Sequence, residues 1–300
     1  MLKHRTVRVA AGVARWPAGL LAPIGTLVVL AALAVASAAQ GAPASGAGVV
    51  YTANEHGKSV SAVDLATGTA TTVEVHITPH NVQASADGRL VTNAKDATVS
   101  VVDLARGEVV KAIATGPYPH GLRLSPDQRE LYVANVRDGS VSVIDAGALA
   151  EVARIPVGAA PVQVGFTPDG GPVFVSLRDE DSVAVIDTGT RKVVRKIAVG
   201  RGPIQVYATP DGREVYVANE GSHENPDDRV SVIDVALGEV VATVVTGKGA
   251  HGVVVSPDGG RAFVTNIYDA TVSAIDTAAH EVAATYAVGA GPNGVTYRAN

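Results

Sequence analysis

Val141-Ser142-Val143-Ile144-Asp145 is a β-branched, apolar run closed by an aspartate, and the chain repeats it. Near-copies are Val60-Ser61-Ala62-Val63-Asp64, Val99-Ser100-Val101-Val102-Asp103, Val183-Ala184-Val185-Ile186-Asp187, Val230-Ser231-Val232-Ile233-Asp234 and Val272-Ser273-Ala274-Ile275-Asp276. Successive aspartates are 39, 42, 42, 47 and 42 residues apart. A fixed period of this length is the signature of a repeat architecture.

Working outward from that run, each period reads as four short strands. Strand A is His120-Gly121-Leu122-Arg123-Leu124, followed by the turn Ser125-Pro126-Asp127-Gln128. Proline presets φ for such a turn, and Asp or Gly accepts backbone conformations most residues avoid. Strand B is Leu131-Tyr132-Val133-Ala134-Asn135, strand C is the repeated run, and strand D resembles Val193 to Val199. No stretch of the repeats sustains a 3.6-residue period. Four strands in about 42 residues describe a β-propeller blade. A β-helix coil is usually shorter, and a sandwich has no reason to repeat.

The first recognisable strand, Val49 to Asn54, is a B strand, and the last, Asn293 to Arg298, is an A strand. The expected fold is therefore an all-β, six-bladed propeller over residues 49–298, with four antiparallel strands per blade. Its ring would close when the C-terminal strand A joins the N-terminal strands B, C and D, which would leave no open edge.

Residues 1–38 carry Lys3, Arg5, Arg8 and Arg15, no acid, an apolar run from Leu20 to Val35, and Ala36-Ser37-Ala38. A basic start, an apolar middle and a small-residue exit describe a cleaved secretory signal peptide, with 39–48 as linker. The expected location is the periplasm or the cell exterior, with no membrane span in the mature chain. Loss of the four leader cations takes the formal charge from -5 to -9. Such a chain repels phosphate backbones, which argues against nucleic-acid partners. The absence of cysteine excludes disulfides, thiolate metal sites and a cysteine nucleophile. Trp16 leaves with the leader.

The strand B words Tyr51-Thr52-Ala53-Asn54, Tyr132-Val133-Ala134-Asn135, Tyr216-Val217-Ala218-Asn219 and Phe263-Val264-Thr265-Asn266 stand beside Ser-Pro-Asp turns and the Val-Ser-Val-Ile-Asp runs. Together they resemble the YVTN family of β-propellers, which includes YncE-like periplasmic proteins and surface-layer propellers. That family is distantly related in fold to d1-haem and lactonase-type propellers. The resemblance implies a propeller fold and no particular activity. Many members have seven blades where six are counted here, and Phe174-Val175-Ser176-Leu177 lacks the asparagine. Propellers that rely on blade tryptophans, the WD40 and PQQ types, do not fit a mature chain without one.

The repeated aspartates and asparagines read as structural, since a turn aspartate accepts backbone N–H bonds. Function is expected where copies differ on one face. The six A strands begin with Pro79-His80, Pro119-His120, Pro161-Val162, Pro203-Ile204, Ala250-His251 and Pro292-Asn293. In a propeller these positions meet at one channel mouth. The B-to-C loops share that face and bring Glu55, His56 and the insertion from Glu220 to Arg229, which carries His223 and Glu224. His76 also maps there, whereas His280 does not.

Three histidines, His80, His120 and His251, are candidate ligands for a transition metal or a haem-like cofactor. Glu55, His56, Asn293, His223 and Glu224 are candidate contacts for a protein or small-molecule ligand. The leading expectation is a binding scaffold that acts through this face. The alternatives are a metal- or cofactor-binding protein and a lactonase-type hydrolase. The hydrolase would need a Glu/Asn/Asp calcium site, for which only Glu55 and Asn293 are near. No G-x-S-x-G elbow, P-loop or Rossmann glycine pattern occurs.

Overall fold

The computed structural model describes residues 49–76, 78–85, 89–94 and 96–298. The expected signal peptide and linker lie outside the described residues. No α-helix occurs among the described residues, and the one helical turn is the 3₁₀ segment Arg178–Glu180.

The strands fall into six sheets. The first holds β1 (Val49–Asn54), β2 (Ser59–Asp64) and β3 (Ala70–Glu74). The second holds β4 (Pro79–Ala84), β5 (Arg89–Ala94), β6 (Thr98–Asp103) and β7 (Glu108–Ala114). The third holds β8 (Pro119–Leu124), β9 (Glu130–Asn135), β10 (Ser140–Asp145) and β11 (Ala150–Pro156). In the fourth are β12 (Pro161–Phe166), β13 (Pro172–Leu177), β14 (Ser182–Asp187) and β15 (Lys192–Ala198). The fifth comprises β16 (Pro203–Ala208), β17 (Glu214–Asn219), β18 (Arg229–Asp234) and β19 (Glu239–Val245). The sixth comprises β20 (Ala250–Val255), β21 (Arg261–Asn266), β22 (Thr271–Asp276) and β23 (Glu281–Ala287).

Each sheet is an antiparallel meander, and the strands β4, β8, β12, β16 and β20 stand side by side around the centre. The architecture is a β-propeller, as the repeat predicts. Among the described residues five blades are complete, not six. The sheet of β1, β2 and β3 has three strands, because residues 292–298 form no strand and do not pair with β1. The expected ring closure is therefore corrected. Two features hold the C-terminal segment on the preceding blade instead. His251 Nδ1 donates to the Asn293 carbonyl at 2.8 Å, and Tyr297 stacks on Phe263 with centroids 5.2 Å apart. Gly289, Gly291, Pro292 and Gly294 also give the stretch little strand propensity. Val49 and Val50 of β1 are left 44% and 46% exposed.

The core lies between blades. One cluster joins Tyr132, Val141 and Val143 of the third sheet to Val164, Val175 and Ile186 of the fourth. Middle strands are covered on both faces, so Val141, Val143 and Ile144 are all buried along β10. The outermost strand β11 instead alternates half-buried and exposed positions. The asparagine that ends strand B ties it to strand C. Asn135 Nδ2 donates to Ser140 Oγ and Ser142 Oγ, both at 2.9 Å, and Asn266 repeats this with Thr271 and Ser273. The aspartate ending strand C accepts turn amides, Gly147 and Ala148 N–H on Asp145 at 2.9 and 2.7 Å. Both repeated residues are structural.

Candidate functional site

The D-to-A and B-to-C connections share one face because they hydrogen-bond to each other. The Val136 amide donates to the Tyr118 carbonyl, Arg178 to Ala160, Glu220 to Gly202 and Ile267 to Gly249, at 2.8–3.1 Å. The accepting residue directly precedes strand A in each case. Tyr118, Ala160, Gly202 and Gly249 all have φ between 50° and 72°. That left-handed residue turns the chain into strand A, and the second residue of the strand is then set at the channel mouth. Glycine serves there in two blades, whereas Tyr118 and Ala160 carry the strain of a Cβ in this region.

Two of the three predicted histidine ligands are brought together. The rings of His80 and His120 have centroids 4.4 Å apart, tilted by 50°. His80 Nδ1 lies 3.5 Å from Glu55 Oε2, so Glu55 joins the pair. His120 Nδ1 donates to the Val162 carbonyl of the next blade at 3.2 Å, which places the ring's lone pair on Nε2. Burial depresses the His120 imidazole to about 4, aided by the nearby His80, His251 and Arg178 charges and opposed by the Val162 bond. At neutral pH this ring is uncharged.

His251 belongs to a second arm of the same face. Its Nδ1 donates to the Asn293 carbonyl, and its Nε2 lies 3.7 Å from Glu220 Oε2. Tyr268 Oη donates to Glu220 Oε1 at 2.7 Å, and His223 packs edge-on against Tyr268 with centroids 5.5 Å apart. Burial, then the Glu220 bond and charge, pushes the Tyr268 phenol up to about 12. Asn293 thus enters through its backbone. Glu224 is exposed and accepts from Ser222 Oγ at 3.3 Å. His56 is exposed and makes no ring contact or ion pair among the described residues.

The inserted loop is braced from beneath by Asp227, which is 1% exposed. Its carboxylate takes Arg229 Nε at 2.7 Å and the Arg201 amide at 2.8 Å, while its carbonyl takes the Gly249 amide at 2.6 Å. Sequence reasoning placed Glu220 and Asp227 on this face only as parts of the insertion, without a role, and missed Tyr268 and Arg178. The available signal was positional, because each lies in a B-to-C loop.

Among the described residues, no group of three or more His, Cys, Asp or Glu side chains converges to hold a metal ion. His80 and His120 stand together, whereas His251 turns to Glu220, so the three histidines do not form one such group. Nor do Glu55 and Asn293 form the shared oxygen site a calcium-dependent lactonase needs. Glu55 turns to His80, while Asn293 offers its carbonyl to His251.

A family model described as a YNCE-like β-propeller matches residues 72–171. No curated protein matches the chain in sequence. Among solved structures, hydrazine synthase of Kuenenia stuttgartiensis is 24% identical with a TM-score of 0.72, covering 82% of this chain and 85% of that one. A functionally unknown protein from Desulfotomaculum acetoxidans is 15% identical with a TM-score of 0.66, covering 77% of this chain and 75% of that one. At these identities both show the fold alone. Residues 72–171 are thus similar to the YncE-like β-propellers, and the two solved structures share the fold of the described chain.

Proposed function

We propose that the chain is an exported binding propeller whose protein or small-molecule partner meets the histidine-bearing face. The supporting observation is the concentration there of side chains that the blade core does not need. His80, His120 and Glu55 form one arm, and His251, Glu220, Tyr268 and His223 form the other. A repeat needs the same residue in every copy, so a cluster confined to some blades points to recognition. Exported location follows from the leader-like composition of residues 1–38.

Site-specific photocrosslinking tests this. A photoreactive residue replaces Glu224 on the inserted loop, or Ala278 on the opposite face, and crosslinks are compared in cells of the source organism. A discrete adduct from position 224 and none from 278 is expected, lost in an H80A/H251A background. Equal labelling from both positions, or an adduct indifferent to the histidines, would overturn the proposal.

A further inference from the structure

The other end of the channel holds a cavity of about 420 Å³, within the size range of small-molecule sites. It is built from the last residues of β8, β12, β16 and β20 and the proline turns that follow them. Its lining is mostly apolar and includes Leu124, Phe166, Tyr207 and Val255. Among the described residues Arg123 is its one charged lining residue. The equivalent residues on the neighbouring inner strands are Gln83, Gly165, Tyr207 and Val254. Arg123 lies over the Tyr207 ring of β16, with Cζ 5.9 Å from the centroid, and the intervening β12 carries Gly165 at the equivalent position.

Arg123 makes no ion pair among the described residues. Burial lowers its guanidinium from the ordinary value, and the Tyr207 interaction opposes that only in part. Arginines in the turns at this end have carboxylate partners, as Arg191 has Glu130 and Arg213 has Asp211. A half-buried arginine with an aromatic face on one side and no anion presents its planar fork for bidentate recognition. Two threonines in the lining cannot compete as donors, since Thr167 and Thr209 give their hydroxyls to Asp169 and Asp211 at 2.6 Å. The chain is acidic overall, so long-range attraction does not draw anions here. Recognition must come from the local fork and the apolar wall.

We propose that this cavity binds a small organic monocarboxylate, its carboxylate on the Arg123 guanidinium and its apolar body between Phe166 and Tyr207. One cation matches one negative charge. Phe166 is positioned for the body by its edge contact with Tyr132, centroids 5.1 Å apart.

The probe is benzoate, compared with the neutral isostere benzamide and with inorganic phosphate. Calorimetric titration of the mature chain is expected to show benzoate binding, with benzamide and phosphate each weaker by at least about tenfold. The R123Q variant should lose benzoate binding by a similar factor, and R123K should recover only part of it. Retained circular dichroism shows that the variants fold. In the unmutated chain, the Arg123 Nε–H resonance should shift with benzoate, independently of any variant. Absence of benzoate binding, equal binding by R123Q, equal binding of phosphate, or an unmoved Arg123 resonance would each overturn the proposal.

Discussion

The His80 and His120 rings stand 4.4 Å apart at one channel mouth, and only His120 is sealed into the blade interface by its Val162 bond. Burial first, and the neighbouring His80 second, lower the His120 ring from 6.5 to about 4. In the unfolded chain this ring takes up its proton near 6.5, while the folded chain resists until about 4. Between those values the unfolded state binds more protons, so this residue makes stability fall as pH falls. H120N keeps an amide donor for the Val162 carbonyl and removes the titration. The melting temperature of the parent should therefore drop more steeply than that of H120N across this window. Parallel curves would contradict the linkage.

Ala160 sits at φ 50° before β12, with 7% of its surface exposed. Gly202 and Gly249 fill the equivalent place in the next two blades without a Cβ. A160G should relieve the left-handed strain, stabilising the chain by about 0.5–1 kcal/mol after the entropic cost of glycine. Urea denaturation reads this directly, as a higher midpoint at unchanged slope. Destabilisation would show that Ala160 contributes more through packing than it loses through strain.

The fold was legible because each strand C run ends in aspartate and each run is followed by the same turn chemistry, so one blade explains the rest. The structural roles of Asn135 and Asp145 were legible for the same reason, since a repeated residue serves a repeated bond. Closure was not legible. Pattern places Asn293–Arg298 as a strand, but pairing depends on whether β1 or the Phe263 side of the preceding blade holds it, and Tyr297 stacks on Phe263. The pairing of Glu220 with Tyr268 was hidden differently, because they come from loops 48 residues apart and meet only where neighbouring blades pack. Arg123 escaped notice because its partner ring, Tyr207, stands two periods further on and meets it only in the folded channel.

Asp227 and Arg229 anchor the inserted loop, and the carboxylate is fully buried where the guanidinium is 38% exposed. Burial, the largest single influence, raises this carboxyl, but the Arg229 and Arg201 bonds and charges outweigh it and hold the carboxyl below its ordinary value. Its stabilising contribution is therefore present above the unfolded carboxylate value and lost as pH falls through the lower folded one. D227A should cost about 3 kcal/mol, since it strips Arg229 and the Arg201 amide of their acceptor. D227N should cost less, because one oxygen remains. Denaturant midpoints of the three proteins at neutral pH measure the series. A cost below about 0.5 kcal/mol for D227A would mean the loop is held by its backbone bonds alone.

Among the described residues β1 is bonded along one side only, to β2, whereas β9 lies between β8 and β10. Tyr132 of β9 is fully buried, while Val49 and Val50 are exposed at 44% and 46%. Opening β1 therefore breaks one ladder and uncovers little apolar surface, and opening β9 breaks two and empties an inter-blade core. Amide hydrogen exchange should be faster in β1 than in β9 by well over tenfold, about 1.4 kcal/mol of opening free energy for each factor of ten. The side-specific pattern is the sharper check. Amides of β1 that face away from β2 should exchange at nearly the rate of an open loop, while those bonded to β2 are slower. Uniform protection along both sides of β1 would show that another segment pairs with this edge in solution.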